Sequence, residues 1–269
     1  MTKENNMKIT ELDSEYKQKQ LEELRKRVLE DTSLTARTDD IFLTRFLRAK
    51  AYHINSAYYM LKGYVNYNEK YTNSWLTIQR PLMKQVLGSE VIDIIPNCDS
   101  EGRRVFWFRF GKWNPRDFPP EAGLHVAALI AQLALLESIP LESIISVYDL
   151  KDTSFAHAKN VTPSFAKRMV AFLTNCAPVH ILQIHIVRES TVFGMLFSIF
   201  KAFLDERIKK RISIHGNNFE SLHKAIDKKI LPPELGGEAE PLDPLRWNDE
   251  LQKESVIKEI GKEGYVIVD

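Results

Sequence analysis

From residue 100 onward the chain alternates strand-like and helix-like stretches, and no other feature narrows its fold as much. Asp99-Ser100-Glu101-Gly102 has turn chemistry, and Val105–Phe110 is an aromatic, strand-like run. A helical stretch, Glu121–Glu137, comes next, and then a strand, Ile144–Leu150. Thr162 caps and Pro163 opens a helix reaching about Asn175. Val179–Val187 reads as a strand and Thr191–Leu204 as a helix, which Asp205–Lys210 continues or restarts. Ile212–His215 is a short strand ended by Gly216, and Asn218–Ile226 is a further helix. The strands are apolar on both faces, as a covered parallel sheet requires. The expected class is α/β, with a mainly parallel sheet and right-handed crossovers.

The chain ahead of this alternation is helical. Leu21, Leu24, Val28 and Leu29 recur at helical spacing within residues 11–31. Thr38-Asp39-Asp40 offers N-cap chemistry to a second helix through Phe42, Phe46 and Leu47, and a third covers about Asn55–Lys70. The expected division is a helical domain over 1–75, an α/β domain over 76–245 and a C-terminal extension over 246–269.

Several functions lose support here. A net charge of +1 gives no global attraction to nucleic acid, so an anionic partner needs a local patch. Cys98 and Cys176 are too few for a disulfide scaffold and suit a reducing compartment. The polar N-terminus carries no secretory signal, and the apolar stretches fall short of the about 20 residues that cross a bilayer. A soluble, cytoplasmic protein is expected. Phosphate-loop, dinucleotide and serine-elbow motifs are absent from the sequence. Cys98 and Arg104 match a phosphatase-loop spacing, but Asp99 and Glu101 would repel phosphate, so a hairpin before an edge strand is expected. His180 and His185 fall on opposite faces of one strand and cannot share a metal. No cofactor, no metal and no catalytic group is expected.

Thr191–Leu204 is apolar around almost its whole circumference, and the basic cluster Arg207, Lys209, Lys210 and Arg211 follows it. Such a helix is either buried core or a cover between an oily cavity and a membrane interface, with the basic end drawn to anionic lipid. Periodicity leaves both readings open. The helix over 121–137 is similarly apolar and rich in small residues.

Five ordered segments then carry a likeness: Phe42–Lys50, Asp149-Leu150, Thr162-Pro163-Ser164, Arg211–Asn218, and Leu231-Pro232-Pro233-Glu234-Leu235-Gly236-Gly237. With Ile184-His185-Ile186 between them, they resemble the CRAL-TRIO lipid-binding family over about residues 30–240. The nearest branch is that of the α-tocopherol transfer protein, cellular retinaldehyde-binding protein and the clavesins. The resemblance implies a helical N-terminal domain, a hydrophobic cavity over the sheet and a mobile lid helix. It implies a monomeric carrier, not an enzyme, holding a small hydrophobic lipid and meeting phosphoinositide-bearing membranes peripherally. The alternative is a clavesin-like trafficking adaptor that moves no cargo. Pocket positions carry over to Ala127 and Ala131 on the floor helix, where the relative has serines, and to Tyr148 on a strand. They carry over also to Val161, Met169, Phe172, Leu173 and Val179. Leu124 and Ala128 share the floor helix, and Ile144 and Ser146 share the strand face of Tyr148 by alternation. The lid contributes Phe193, Phe197 and Phe200. For the headgroup patch, Lys50, Arg207 and Arg211 remain basic, His180 and Leu182 have lost fixed charge, and Lys210 stands near enough to compensate. The cargo is left open between tocopherol, a retinoid, a carotenoid, a sterol or another isoprenoid.

Overall fold

The computed structural model describes residues 13–71, 77–136, 143–178, 181–262 and 265–269. The chain divides into two compact units. The first holds residues 1–70 together with 171–180, and the second holds 71–170 and 181–269.

In the first unit three helices run in sequence: α1 (Ser14–Glu30), α2 (Asp40–Ala49) and α3 (Ile54–Tyr71). Asp39 caps α2 as its chemistry suggests, accepting from the Phe42 amide at 3.0 Å. One core joins the three helices, with Leu24, Leu43, Phe46, Leu47 and Leu61 all fully buried. Asp31, just past α1, accepts from Lys62 of α3 at 2.7 Å and from the Tyr58 hydroxyl. Those bonds, Lys62 foremost, hold its carboxyl well below the usual carboxylate range. A π-helical turn over Phe172–Cys176 belongs to this unit, and Phe172 packs on Tyr67 at 5.2 Å between ring centroids.

The second unit is built on a sheet of five strands in the order β2-β3-β4-β5-β6. These are β2 (Ile92–Ile94), β3 (Arg104–Arg109), β4 (Ile144–Asp149), β5 (Ile181–Val187) and β6 (Ile212–Ile214); β1 (Thr77–Gln79) lies outside it. β2 is antiparallel to β3, and every other pairing is parallel. The crossovers are α5 (Pro120–Leu136) between β3 and β4, α6 (Phe155–Asn160) and α7 (Pro163–Ala171) between β4 and β5, and α8 (Phe193–Lys201) and α9 (Glu206–Lys209) between β5 and β6.

The expected hairpin after Cys98 is present: Asp99 accepts the amides of Glu101 and Arg103, both at 2.9 Å, and pairs with the Arg103 guanidinium. The expectation that the strand behind it is an edge strand is corrected. β3 lies between β2 and β4, and the edge is β2, a strand too short and too interrupted by Asp93 to show a period-two pattern.

Side chains alternate across the sheet. Val105, Trp107, Ile145, Val147 and Val187 point to one face. There they meet Leu222 of α10 (Phe219–His223) and the following Ile226, Leu231 and Leu235. The Leu231–Gly237 motif explains itself in this packing. Gly236 takes a left-handed φ of 69° after a 3-10 turn. At Gly237 a Cβ would stand 1.9 Å from the Leu231 carbonyl oxygen. On the same face His185 pairs with His215 at 2.8 Å between ring nitrogens, Gln183 closing one end at 3.0 Å and Ser221 the other at 2.6 Å. Burial, followed by His215 and Arg103, pushes the His185 imidazole down to about 4.

The C-terminal segment folds onto the second unit as α11 (Arg246–Glu250), α12 (Glu254–Gly261) and β7 (Val266–Val268), the last pairing in parallel with β1. α4 (Arg80–Gly88) and α12 both pack against α5. Trp247 Nε1 donates to buried Asp93 Oδ1 at 2.7 Å. Desolvation pushes the Asp93 carboxyl up despite Trp247, the Ile94 amide and Arg109. A raised folded value favours the protonated form. Its contribution is therefore greatest below the ordinary 3.8 and is lost as pH rises through the folded value. Asp93→Asn, which still accepts from Trp247, is expected to stabilise the chain near neutral pH and to do nothing at pH below 3.8. Urea titrations at the two pH values check this.

Among the described residues no helix is long and apolar enough to cross a membrane.

Candidate functional site

The second face of the sheet carries the site. Register aligns Ile92, Phe108 and Tyr148 as one row across β2, β3 and β4. The Phe108 and Tyr148 rings stack at 4.8 Å with an interplanar angle of 11°, and Phe110 leans on Tyr148 at 6.1 Å. Above them α5 presents Pro120, Gly123, Leu124 and Ala127, spaced to share a helix face. Phe165 and Met169, four apart on α7, close one side, and Trp113 and Phe118 from the loop before α5 close another. Trp113 is fixed by its Nε1–H, which donates to the Phe118 carbonyl at 2.9 Å.

These residues line a cavity of about 60 Å³. Among the described residues that line it, none carries a charged side chain. Ligand pockets for small molecules run to roughly 300–1,000 Å³. The cavity is therefore too small for a lipid as it stands, and a lipid enters only if the wall moves apart. An ion pair beside the wall, Arg168 of α7 with Glu121 of α5, ties the two helices, and Arg168 also donates to Ser164 Oγ at 2.9 Å. His125 follows Glu121 by one turn. Burial and then Arg168 push its imidazole down to about 4, so it is neutral under ordinary conditions.

Of the residues expected to line a pocket, the fold brings Leu124, Ala127, Tyr148 and Met169 together in the wall. Ser146 is buried on the same strand face as Tyr148 and is not itself part of the wall. Ala128, Ala131, Ile144 and Val161 also lie outside the wall. Phe172 and Leu173 fall in the π-helical turn of the first unit. Val179 and His180 lie outside the described residues. Ile92, Phe108, Phe110, Trp113 and Phe118 also stand in the wall without having been singled out by sequence.

α8 does not behave as core. Only Leu196 is buried on it, and Met195 is 39% exposed. Phe193 and Phe197 stack on each other at 5.4 Å, and together with Phe200 they are half-buried. The segment leading into α8 is held firmly. Arg188 adopts a left-handed φ of 52°, donates through Nε to buried Asp149 Oδ1 at 2.9 Å and pairs with Oδ2. Its amide donates to the Gly216 carbonyl at 2.7 Å. Beyond α8, Asp205 caps α9 through the Ile208 amide at 2.8 Å. The basic cluster there is only partly available. Arg207 is largely exposed beside Asp205 and Lys210 is exposed. Lys209 pairs with Glu206 at 2.8 Å, and Arg211 donates to the Ile181 carbonyl at 2.6 Å. Lys50 stands at the C-cap of α2 in the first unit.

The model of the CRAL/TRIO domain matches residues 89–237. The chain belongs to the CRAL-TRIO family. The matched span contains the entire five-stranded sheet and the whole cavity wall. Among similar CRAL-TRIO proteins is "Alpha-tocopherol transfer protein-like" of Mus musculus, 31% identical over 229 residues, covering 84% of this chain and 67% of that protein. Clavesin-2 of Homo sapiens is 30% identical over 215 residues, covering 78% of this chain and 65% of that protein. Among solved structures Sfh5 superposes with a TM-score of 0.59 at 14% identity, covering 94% of this chain and 98% of that one. That likeness concerns the fold alone: helices at the N-terminus, then a mostly parallel sheet.

Proposed function

We propose that this CRAL-TRIO protein is a cytoplasmic carrier that holds a small hydrophobic lipid, of tocopherol, retinoid or other isoprenoid type, and exchanges it at phosphoinositide-bearing membranes. The observation that carries this reading is the uncharged, aromatic cavity between the sheet, α5 and α7. Apolar burial supplies the affinity, about 25 cal/mol per Å² before ordering costs. In this reading the wall opens at the membrane, α8 lays its half-buried phenylalanines in the interface, and the exposed cations beyond it meet anionic headgroups. Relatives named for α-tocopherol transfer favour the same cargo class. The chain acts on its lipid by binding it and does no chemistry on it. The second reading, favoured by the likeness to clavesin-2, is an adaptor that docks on phosphoinositides without moving cargo.

A transfer assay separates the two. Donor vesicles carrying labelled α-tocopherol or retinol should lose label to acceptor vesicles in proportion to added protein. Binding to vesicles with no movement of label selects the adaptor. Docking has its own test. Arg207→Glu with Lys210→Glu changes two exposed side chains and spares the structural bond of Arg211. At about 1 kcal/mol per basic residue near an anionic surface, removing and reversing both should weaken binding to anionic vesicles by at least about thirtyfold. The loss should shrink as salt is raised. Unchanged sedimentation with vesicles removes this cluster from docking.

A further inference from the structure

The cavity wall offers a guest a single polar handle. Among the described side chains that line it, only Trp113 and Tyr148 carry a hydrogen-bonding N–H or O–H. The Trp113 N–H is already donated to the Phe118 carbonyl at 2.9 Å. The Tyr148 phenol therefore decides what the guest's polar end can be.

A phenol has one hydrogen to donate and two lone pairs to accept. Burial pushes the phenol up to about 12, so this hydrogen is present throughout the ordinary pH range. Among the described residues of the wall there is no lysine, arginine or histidine to receive a carboxylate or phosphate. An anionic head there would be desolvated without a partner. The stacked Phe108 and Tyr148 rings form a flat shelf next to the phenol, suited to a planar, unsaturated end of the guest.

We propose that Tyr148 is the specificity-determining residue of the cavity, its O–H donating to the oxygen of a neutral lipid, an alcohol, aldehyde or ketone, and that lipids with anionic heads are refused. This rests on the carrier reading and narrows it by head chemistry.

The test uses one skeleton with three heads: retinol, the hydrocarbon axerophthene and retinoic acid, each titrated into the full chain and into Tyr148→Phe. The wild type should hold retinol about five- to tenfold tighter than axerophthene, the worth of one buried hydrogen bond. Retinoic acid should bind no better than axerophthene. Tyr148→Phe should take up axerophthene as the wild type does, which certifies its fold, and lose the preference for retinol. A variant that keeps the preference, or a wild type that favours retinoic acid, overturns the proposal. Should no retinoid load, organic extraction of the purified wild type decides. A neutral oxygenated lipid in the extract supports the proposal, a fatty acid or phospholipid overturns it, and an empty extract overturns the carrier reading beneath it.

Discussion

Replacing Gly123 with leucine is expected to strip the protein of its capacity for lipid while leaving it folded. Gly123 lies in α5 with its α-carbon facing the cavity, and a Cβ there would meet only Phe118 Cε2, at 4.0 Å. A leucine side chain built on that Cβ would take up the cavity of about 60 Å³ and with it the seat of the guest. Glycine inside a helix costs about 1 kcal/mol against a good helix former, which offsets part of the cost of overpacking, about 1–3 kcal/mol, so the variant should stay folded. A lipid that must displace the new side chain loses about 2 kcal/mol, a thirtyfold rise in Kd for retinol or α-tocopherol. The divergence of the two readouts is the point. A folded variant whose uptake falls locates the guest between α5 and the Phe108–Tyr148 shelf. Uptake that is unchanged places the lipid elsewhere.

The second large effect concerns the root of α8. Arg188→Ala leaves the Asp149 carboxylate, 3% exposed, without its guanidinium partner. Breaking one side of a buried pair costs about 3 kcal/mol or more, because the remaining charge is stranded. The same change removes the cation over the Phe219 ring, 5.4 Å from its centroid. Urea unfolding should show the loss directly. Asp149→Asn with Arg188→Met removes both charges at similar volume and should recover most of the stability. Hydrogen exchange adds a local readout: amides of α8 and of the segment 188–192 should lose protection in Arg188→Ala beyond the global loss. Protection in α8 that falls only with global stability means that this clamp does not hold the helix.

Much of the fold was readable because its signals are local. Asp39 before an apolar run marks a helix start, and Gly236-Gly237 marks a backbone that tolerates no side chain. β3, β4 and β5 are long enough to show their apolar character, whereas β2 has three residues, one of them Asp93. Its contribution to the wall, Ile92, depends on pairing with Phe108 and leaves no local trace. Trp113 and Phe118 stand in a loop, where no period announces which way a ring turns. The His185–His215 pair joins residues thirty apart through a crossover, a relation that strand alternation alone does not contain. α8 is instructive in the other direction. Its composition suits burial, yet only Leu196 is buried, because composition reports affinity for an apolar environment and says nothing of whether protein supplies it. The floor helix carried its alanines in plain view, but only Ala127 of the candidates Ala127, Ala128 and Ala131 stands in the wall. The grouping of residues 171–178 with the N-terminal helices is long-range packing with no signature in those residues.

The most direct measurement is native mass spectrometry of the freshly purified full chain, followed by organic extraction and identification of what it carried. The expected result is a mass above that of the bare polypeptide by one neutral lipid per chain, lost on extraction and lost in Gly123→Leu. A wild type that flies at its polypeptide mass, and that acquires no lipid after incubation with vesicles carrying α-tocopherol or retinol, would contradict the carrier reading at its root.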